Sequence, residues 1–140
     1  MNHEEMAVKF FEEYRCSQAV FAAFSPELGL SEKQALKIGA CFGSGMRKGE
    51  VCGACTGALM VLGLKYGENK EKSDEVCDEF MDAFKQENES YICRDLIGCD
   101  ISTPEGVEYA RNNNLFREIC PEMVASAARI VEEIIKKKYK

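Results

Sequence analysis

At 140 residues the chain has room for one domain with a sizeable core. With 46% hydrophobic and 30% charged residues it has the composition of an ordinary globular protein, and no apolar run reaches the ~18 residues of a membrane helix. A net charge of −6 argues against nucleic acid as a partner, because phosphate backbones are bound by clustered Lys and Arg.

Residues 4 to 24 read as a first helix. Met6, Phe10, Tyr14 and Phe21 recur at helical spacing, with Glu4, Glu5, Lys9, Glu12 and Glu13 on the other faces. Cys16 falls in its second half, and Ser25-Pro26 stops it, since the residue before proline is pushed out of the helical region. Ser31-Glu32-Lys33-Gln34 is a capping-box pattern that opens a second helix through Ile38 to about Phe42. Gly43-Ser44-Gly45 ends it, and Met46 to Glu50 form a loop.

A third helix starts near Cys52 and runs through Leu64, with Gly67 as a left-handed cap. Lys70 to Asp74 reads as a charged linker. Ser73 caps a fourth helix, Asp74 to about Asn88, with Val76, Cys77, Phe80, Met81 and Phe84 inward. Cys93 to Ile97 is a short helix or turn ending at Gly98. Ser102-Thr103-Pro104-Glu105, a cap followed by proline, starts a short polar helix to about Asn112. Cys120-Pro121-Glu122 opens a last helix with Met123, Ala127, Ile130, Val131 and Ile134 on one stripe. The tail Lys136-Lys137-Lys138-Tyr139-Lys140 places cations at its C-terminal end. No segment alternates at period two. The expectation is an all-α fold, a single-domain helical bundle of about five to six helices spanning residues 1 to 140.

The N-terminal stretch MNHEEMAVKFFEEY has acids where a signal peptide has bases, so the expected compartment is the cytoplasm. In a reducing cytosol eight cysteines point to metal binding or thiol chemistry rather than to four disulfides. Cys52 and Cys120 stand at expected helix starts, Cys93 opens a short segment after a helix, and Cys16 lies on the first helix. A helix N-terminus stabilises negative charge, lowers a thiol's pKa and favours the thiolate, which is both nucleophile and metal ligand. The gaps between these four match neither a zinc ribbon nor a ferredoxin run.

Cys52-Gly53-Ala54-Cys55 is formally a C-x-x-C, a redox pair or half a metal site, but no βαβ context supports a thioredoxin reading. Cys55 is equally well read as a small buried hydrophobe. Cys41 and Cys77 are read as buried hydrophobes outright, and Cys99 sits in a turn from which it can join the site. His3, at a fraying end, is not expected to be a base or ligand, and without another histidine a Cys-His pair or Ser-His-Asp triad is not expected either. Gly39-x-x-x-Gly43-x-Gly45 follows no strand and is no dinucleotide fingerprint. Glu4-Glu5, Glu12-Glu13 and Glu132-Glu133 read as solvated helix faces.

The ordered set Cys16, Cys52-Gly53-Ala54-x-x-Gly57, Cys93 and Cys120 resembles the C_GCAxxG_C_C family, named for redox activity. The resemblance covers nearly the whole chain, including Gly43-Ser44-Gly45-Met46 and the run Gly57 to Leu64. It implies a small redox-active, cofactor-binding protein whose defining residues are Cys16, Cys52, Cys93 and Cys120, with the other four cysteines outside that set. Beside it, Gly53, Ala54 and Gly57 leave room for a cofactor or a neighbouring helix, and amides near Gly53 and Ala54 can hydrogen-bond to sulfur.

Three functions follow as expectations. The first is an electron-transfer or redox-sensing protein with an iron–sulfur cluster on Cys16, Cys52, Cys93 and Cys120. The second is a metal-free thiol–disulfide protein, an oxidoreductase or a reductase subunit, using Cys52 with Cys55 or a distant partner. The third is a module holding zinc or copper on the thiolates. The expected partner is a redox protein, with no nucleic acid and no membrane insertion. The oligomeric state is open, a homodimer being compatible with a small cofactor protein.

Overall fold

The structure, a computed structural model, describes residues 1 to 138. Among them are eight α-helices and no strand: α1 (His3–Phe11), α2 (Cys16–Phe24), α3 (Glu32–Ile38), α4 (Gly53–Tyr66), α5 (Lys70–Asn88), α6 (Cys93–Ile97), α7 (Pro104–Asn112) and α8 (Leu115–Lys138). The all-α expectation stands, but eight helices replace the expected five to six. The expected first helix is two. Residues 12 to 15 interrupt it, and α2 restarts at Cys16, with the Gln18 side chain accepting the Arg15 N–H at 2.8 Å. The α1 N-terminus is not frayed, because Asn2 and Glu5 form a reciprocal capping box.

Two other boundaries move. Lys70 to Asp74 is the first turn of α5, capped by Asn69 rather than Ser73. The last helix begins at Leu115, so Pro121 lies inside it and Cys120 does not stand at a helix start. Proline there removes a donor to the carbonyl four residues back, a cost that the packing of α8 outweighs. At its far end Lys136 pairs with Glu132 at 3.7 Å and Lys137 with Glu79 at 3.8 Å; Lys140 of the expected cation cluster lies outside the described residues.

The middle of the molecule is α2 and α4, both apolar around most of their circumference, as buried helices are. They pack on each other, with α1 and α3 against α2, α5 against α4, and α8 across α1, α4 and α5. Phe21, Phe24, Val61, Leu62, Val76, Phe80, Phe84, Val124 and Val131 fill this core. Close approach of α2 to α4 depends on Gly57, where a Cβ would lie 2.5 Å from the Ser17 carbonyl oxygen.

A second, smaller apolar cluster lies beside the first. Cys93 and Ile97 of α6, Ile101, and Ala110 of α7 are buried there, with Val107, Leu115, Phe116 and Cys120 packed around them. The two clusters meet along α8, and the candidate site lies in the seam. None of the described helices is long and apolar enough to cross a membrane.

Candidate functional site

All eight cysteines are free thiols. Four of them, Cys16, Cys52, Cys93 and Cys120, line one cavity of about 220 Å³, far above the roughly 10–15 Å³ that admits a single water. They arrive from four elements: Cys16 is the first residue of α2, Cys52 the N-cap of α4, Cys93 the first residue of α6, and Cys120 lies in α8 just before Pro121. Phe11, Leu96, Ile97, Phe116, Ile119 and Met123 supply an apolar wall. Among the described residues Arg15 is the one charged group on it.

An isolated antiparallel bridge, Val51 with Ile92, sets Cys52 and Cys93 side by side. The Cys52 N–H donates to the Tyr91 carbonyl at 2.7 Å and the Cys93 N–H to the Glu50 carbonyl at 2.6 Å. One bridge is too short to leave an alternating pattern, so the sequence contains no sign of it.

Gly53 sets the distance between Cys16 and Cys52. A Cβ on Gly53 would stand 2.4 Å from the Cys16 sulfur, inside any allowed contact. Only glycine lets the α2 and α4 N-termini bring their sulfurs to one place. Ala54 is fully buried beside it, whereas Gly57 faces Ser17 of α2 rather than the cavity.

The chain between Gly43 and Cys52 is bent by left-handed backbone. Ser44, Gly45, Met46 and Arg47 have φ of 55°, 59°, 59° and 63°, and for each of the three non-glycines this costs about 1–2 kcal/mol. The turn aims the Ser44 N–H at the Cys16 sulfur. Such strain persists only where the surroundings enforce it, and it concentrates at functional sites.

The four thiols are not electrostatically alike. Cys52 is held below the ordinary thiol range, chiefly by a hydrogen bond from the Cys55 thiol and also by the Ala54 and Cys55 N–H groups, against the opposing effect of burial. Burial pushes Cys16 up to about 11 despite the Ser44 and Ser17 amides, and Cys93 up to about 12. Burial also raises Cys120, and negative charge on Cys16, Cys52 or Cys93 would raise it further. The site therefore favours negative charge at Cys52 and the neutral thiol at Cys16, Cys93 and Cys120.

The remaining cysteines are placed differently. Cys55 is fully buried behind Cys52 and does not line the cavity; burial raises its pKa strongly, and the hydrogen bond it gives Cys52 raises it further. Cys41 was expected in the core and is exposed, because it ends a 3₁₀ turn (Gly39–Cys41) after α3 rather than extending that helix. Cys77 is half-buried, on the edge of the α5 stripe rather than inward. Cys99 donates to the Gly106 carbonyl at 3.7 Å and stands behind Cys93 without reaching the cavity wall. His3 is well held: it stacks on Phe24 at 4.2 Å and contacts Glu27 at 3.0 Å and Glu132 at 2.6 Å. Glu132 is accordingly no purely solvated face.

Against protein families, residues 14 to 134 match the model described as "Putative redox-active protein (C_GCAxxG_C_C)". The chain belongs to this family. Its motif in this chain reads Cys52-Gly53-Ala54, and the glycine falls where Cys16 would strike any side chain. No curated protein matches the chain, and no solved structure does.

Among the described residues no three His, Cys, Asp or Glu side chains converge as a single ion would need. Zn–S bonds of ~2.3 Å in a tetrahedron would hold all four sulfurs within about 4 Å of one another. Four thiols lining one cavity are a donor set of the kind that suits a thiophilic metal or a cluster. The amides beside Cys16 and Cys52 fit sulfur ligands, since hydrogen bonds to sulfur are one of the protein's levers on a cluster's potential.

Proposed function

We propose that this member of the redox-active family holds an iron–sulfur cluster in the four-cysteine cavity and works in electron transfer or redox sensing. The observation that supports this reading above others is that Cys16, Cys52, Cys93 and Cys120, from four separate elements, line one apolar cavity of about 220 Å³. Such a cluster supplies reversible electron uptake and release. The chain's own residues do the rest. Cys52, the thiol whose anion the site favours most, offers the first ligand, and all four cysteines bind as thiolates, giving up their protons to do so. Phe11, Phe116 and Met123 exclude water, and Arg15 places one positive charge beside an anionic centre.

The test is a series of single serine variants reconstituted with iron and sulfide under anaerobic conditions. Serine at position 16, 52, 93 or 120 is expected to abolish or severely reduce iron content, whereas Cys41→Ser and Cys77→Ser retain it. Retention of iron by all four cavity variants would refute the ligand set.

A second reading has its own support. The Cys55 thiol donates to the Cys52 thiolate at the N-terminus of α4, the arrangement from which a disulfide forms. Joining the Cys52 thiolate to the Cys55 thiol breaks the Cys55 S–H bond, releases one proton to solvent and passes two electrons to an external two-electron acceptor. In metal-free protein, differential alkylation would then show a reversible Cys52–Cys55 bond. If Cys52→Ser leaves thiol oxidation unaltered, this reading fails.

A further inference from the structure

A second, larger cavity opens beside the thiol site. It measures about 930 Å³ and lies between the left-handed turn and α7, which lines it from Pro104 to Asn112. Arg15 and Ser44 belong to the walls of both cavities. The Arg15 stem is packed along Gly43, where a Cβ would meet its Cδ at 2.7 Å, and with Ser44 it stands on the boundary of the two.

The charge of this cleft is opposite to that of the molecule. Arg15, Arg47, Lys48 and Arg111 line it against one carboxylate, Glu108, in a chain of net charge −6. Among the described residues no ion pair engages any of these four cations, while Arg94, Arg129, Lys72, Lys136 and Lys137 all find carboxylates. Unpaired, convergent cations in a concave site raise the local concentration of anions, and guanidinium groups match phosphate oxygens in particular. Met46, Ile101, Pro104 and Val107 give the same cleft an apolar side. Two of the cation-bearing or apolar positions, Met46 and Arg47, are delivered by strained left-handed backbone.

We infer that this cleft binds a small organic phosphate bearing at least two negative charges, its phosphates on Arg47, Arg111, Lys48 and Arg15 and its organic part on Met46, Ile101 and Val107. Bound there, the ligand shares Arg15 and Ser44 with the wall of the thiol cavity. The inference concerns binding and stands whether or not the cavity holds a cluster.

The experiment is isothermal titration calorimetry of the full chain, metal-free and as purified, at low salt, where screening is weak. The probes are inorganic pyrophosphate and ADP. Both are expected to bind, ADP the more tightly, and the double variant R47S/R111S is expected to weaken both by about tenfold or more. The double variant K33S/K37S, which removes the same charge from exposed positions on α3, is expected to leave binding unchanged. Unaltered circular dichroism in both variants separates loss of the site from loss of the fold. No heat from either probe at about 1 mM, or equal weakening by both variants, overturns the proposal. So does ADP binding no tighter than pyrophosphate. A glutamate-rich peptide binding as well as ADP also overturns it, in favour of an acidic protein partner.

Discussion

The two sides of the thiol cavity are built on different principles. Cys16 and Cys52 stand at the N-termini of α2 and α4, inside the main core, with amides aimed at both sulfurs and no side chain between them. Cys93 and Cys120 belong to the smaller cluster of α6, α7 and the start of α8, where burial first and the neighbouring thiols second raise both and no backbone amide offsets them. One side is prepared for negative charge before any ligand arrives. The other is assembled from a five-residue helix and a small apolar cluster, and is the side with less to hold it. A group bound by all four sulfurs would tie the small cluster to the large one, so occupancy and local stability are linked.

Loading the cavity gives the largest expected effect. Saturating a tight site stabilises a fold by about 4 kcal/mol at a thousandfold excess over Kd. Hydrogen exchange should therefore slow strongly in α6 and α7 on anaerobic reconstitution and change much less in α2 and α4. Equal slowing throughout would erase the distinction between the two sides.

Next comes Gly57→Ala. Its Cβ would lie 2.5 Å from a backbone oxygen, with no flexible side chain to give way, and should cost about 1–3 kcal/mol in urea unfolding. Gly63→Ala meets nothing within 4 Å in the same helix and should be neutral or stabilising by up to about 1 kcal/mol. These two variants measure how closely the prepared side is packed.

Alkaline titration of the metal-free protein follows. The folded pKa values of Cys16 and Cys93, about 11 and about 12, lie above the ordinary 9.0, so the folded state binds more protons. The stability this confers is complete below pH 9 and is lost as pH rises towards 11 and 12, at roughly 1 kcal/mol per thiol between pH 9 and 10. Cys52 runs the other way, since its lowered pKa stabilises the fold at high pH and that gain fades on acidification. Urea midpoints at pH 8 and pH 10 check the sign, and an unchanged midpoint would contradict it. The smallest effect is expected for Cys99→Ser, within about 0.5 kcal/mol and with iron content retained, because Cys99 is half-buried and off the cavity wall.

What the sequence reveals and what it hides divide along the same seam. The all-α class follows from apolar spacing that the core keeps, from Phe21 to Val131. The break at Glu12 to Arg15 is hidden because no glycine or proline marks it and the apolar spacing continues; the faint signal is Gln18, three residues after Arg15, reaching back to cap. Pro121 misplaces the start of α8, since proline is read as a first-turn residue and here lies in the helix interior. That error put Cys120 at a helix N-terminus it does not have. Cys16 shows the reverse: taken for a mid-helix residue, it opens α2.

Local pattern also says nothing of the Val51–Ile92 bridge or of Met46 and Arg47 in left-handed backbone, a conformation these residues rarely adopt. Gly53 and Gly57 were legible as demands for space, but only the fold assigns the first to the Cys16 sulfur and the second to the Ser17 carbonyl.

The most direct test of the account is the iron and acid-labile sulfide content of protein purified without oxygen. A cluster held by Cys16, Cys52, Cys93 and Cys120 predicts a brown protein with visible absorption, containing several irons and matching sulfide. A colourless protein that takes up no iron on anaerobic reconstitution would contradict it.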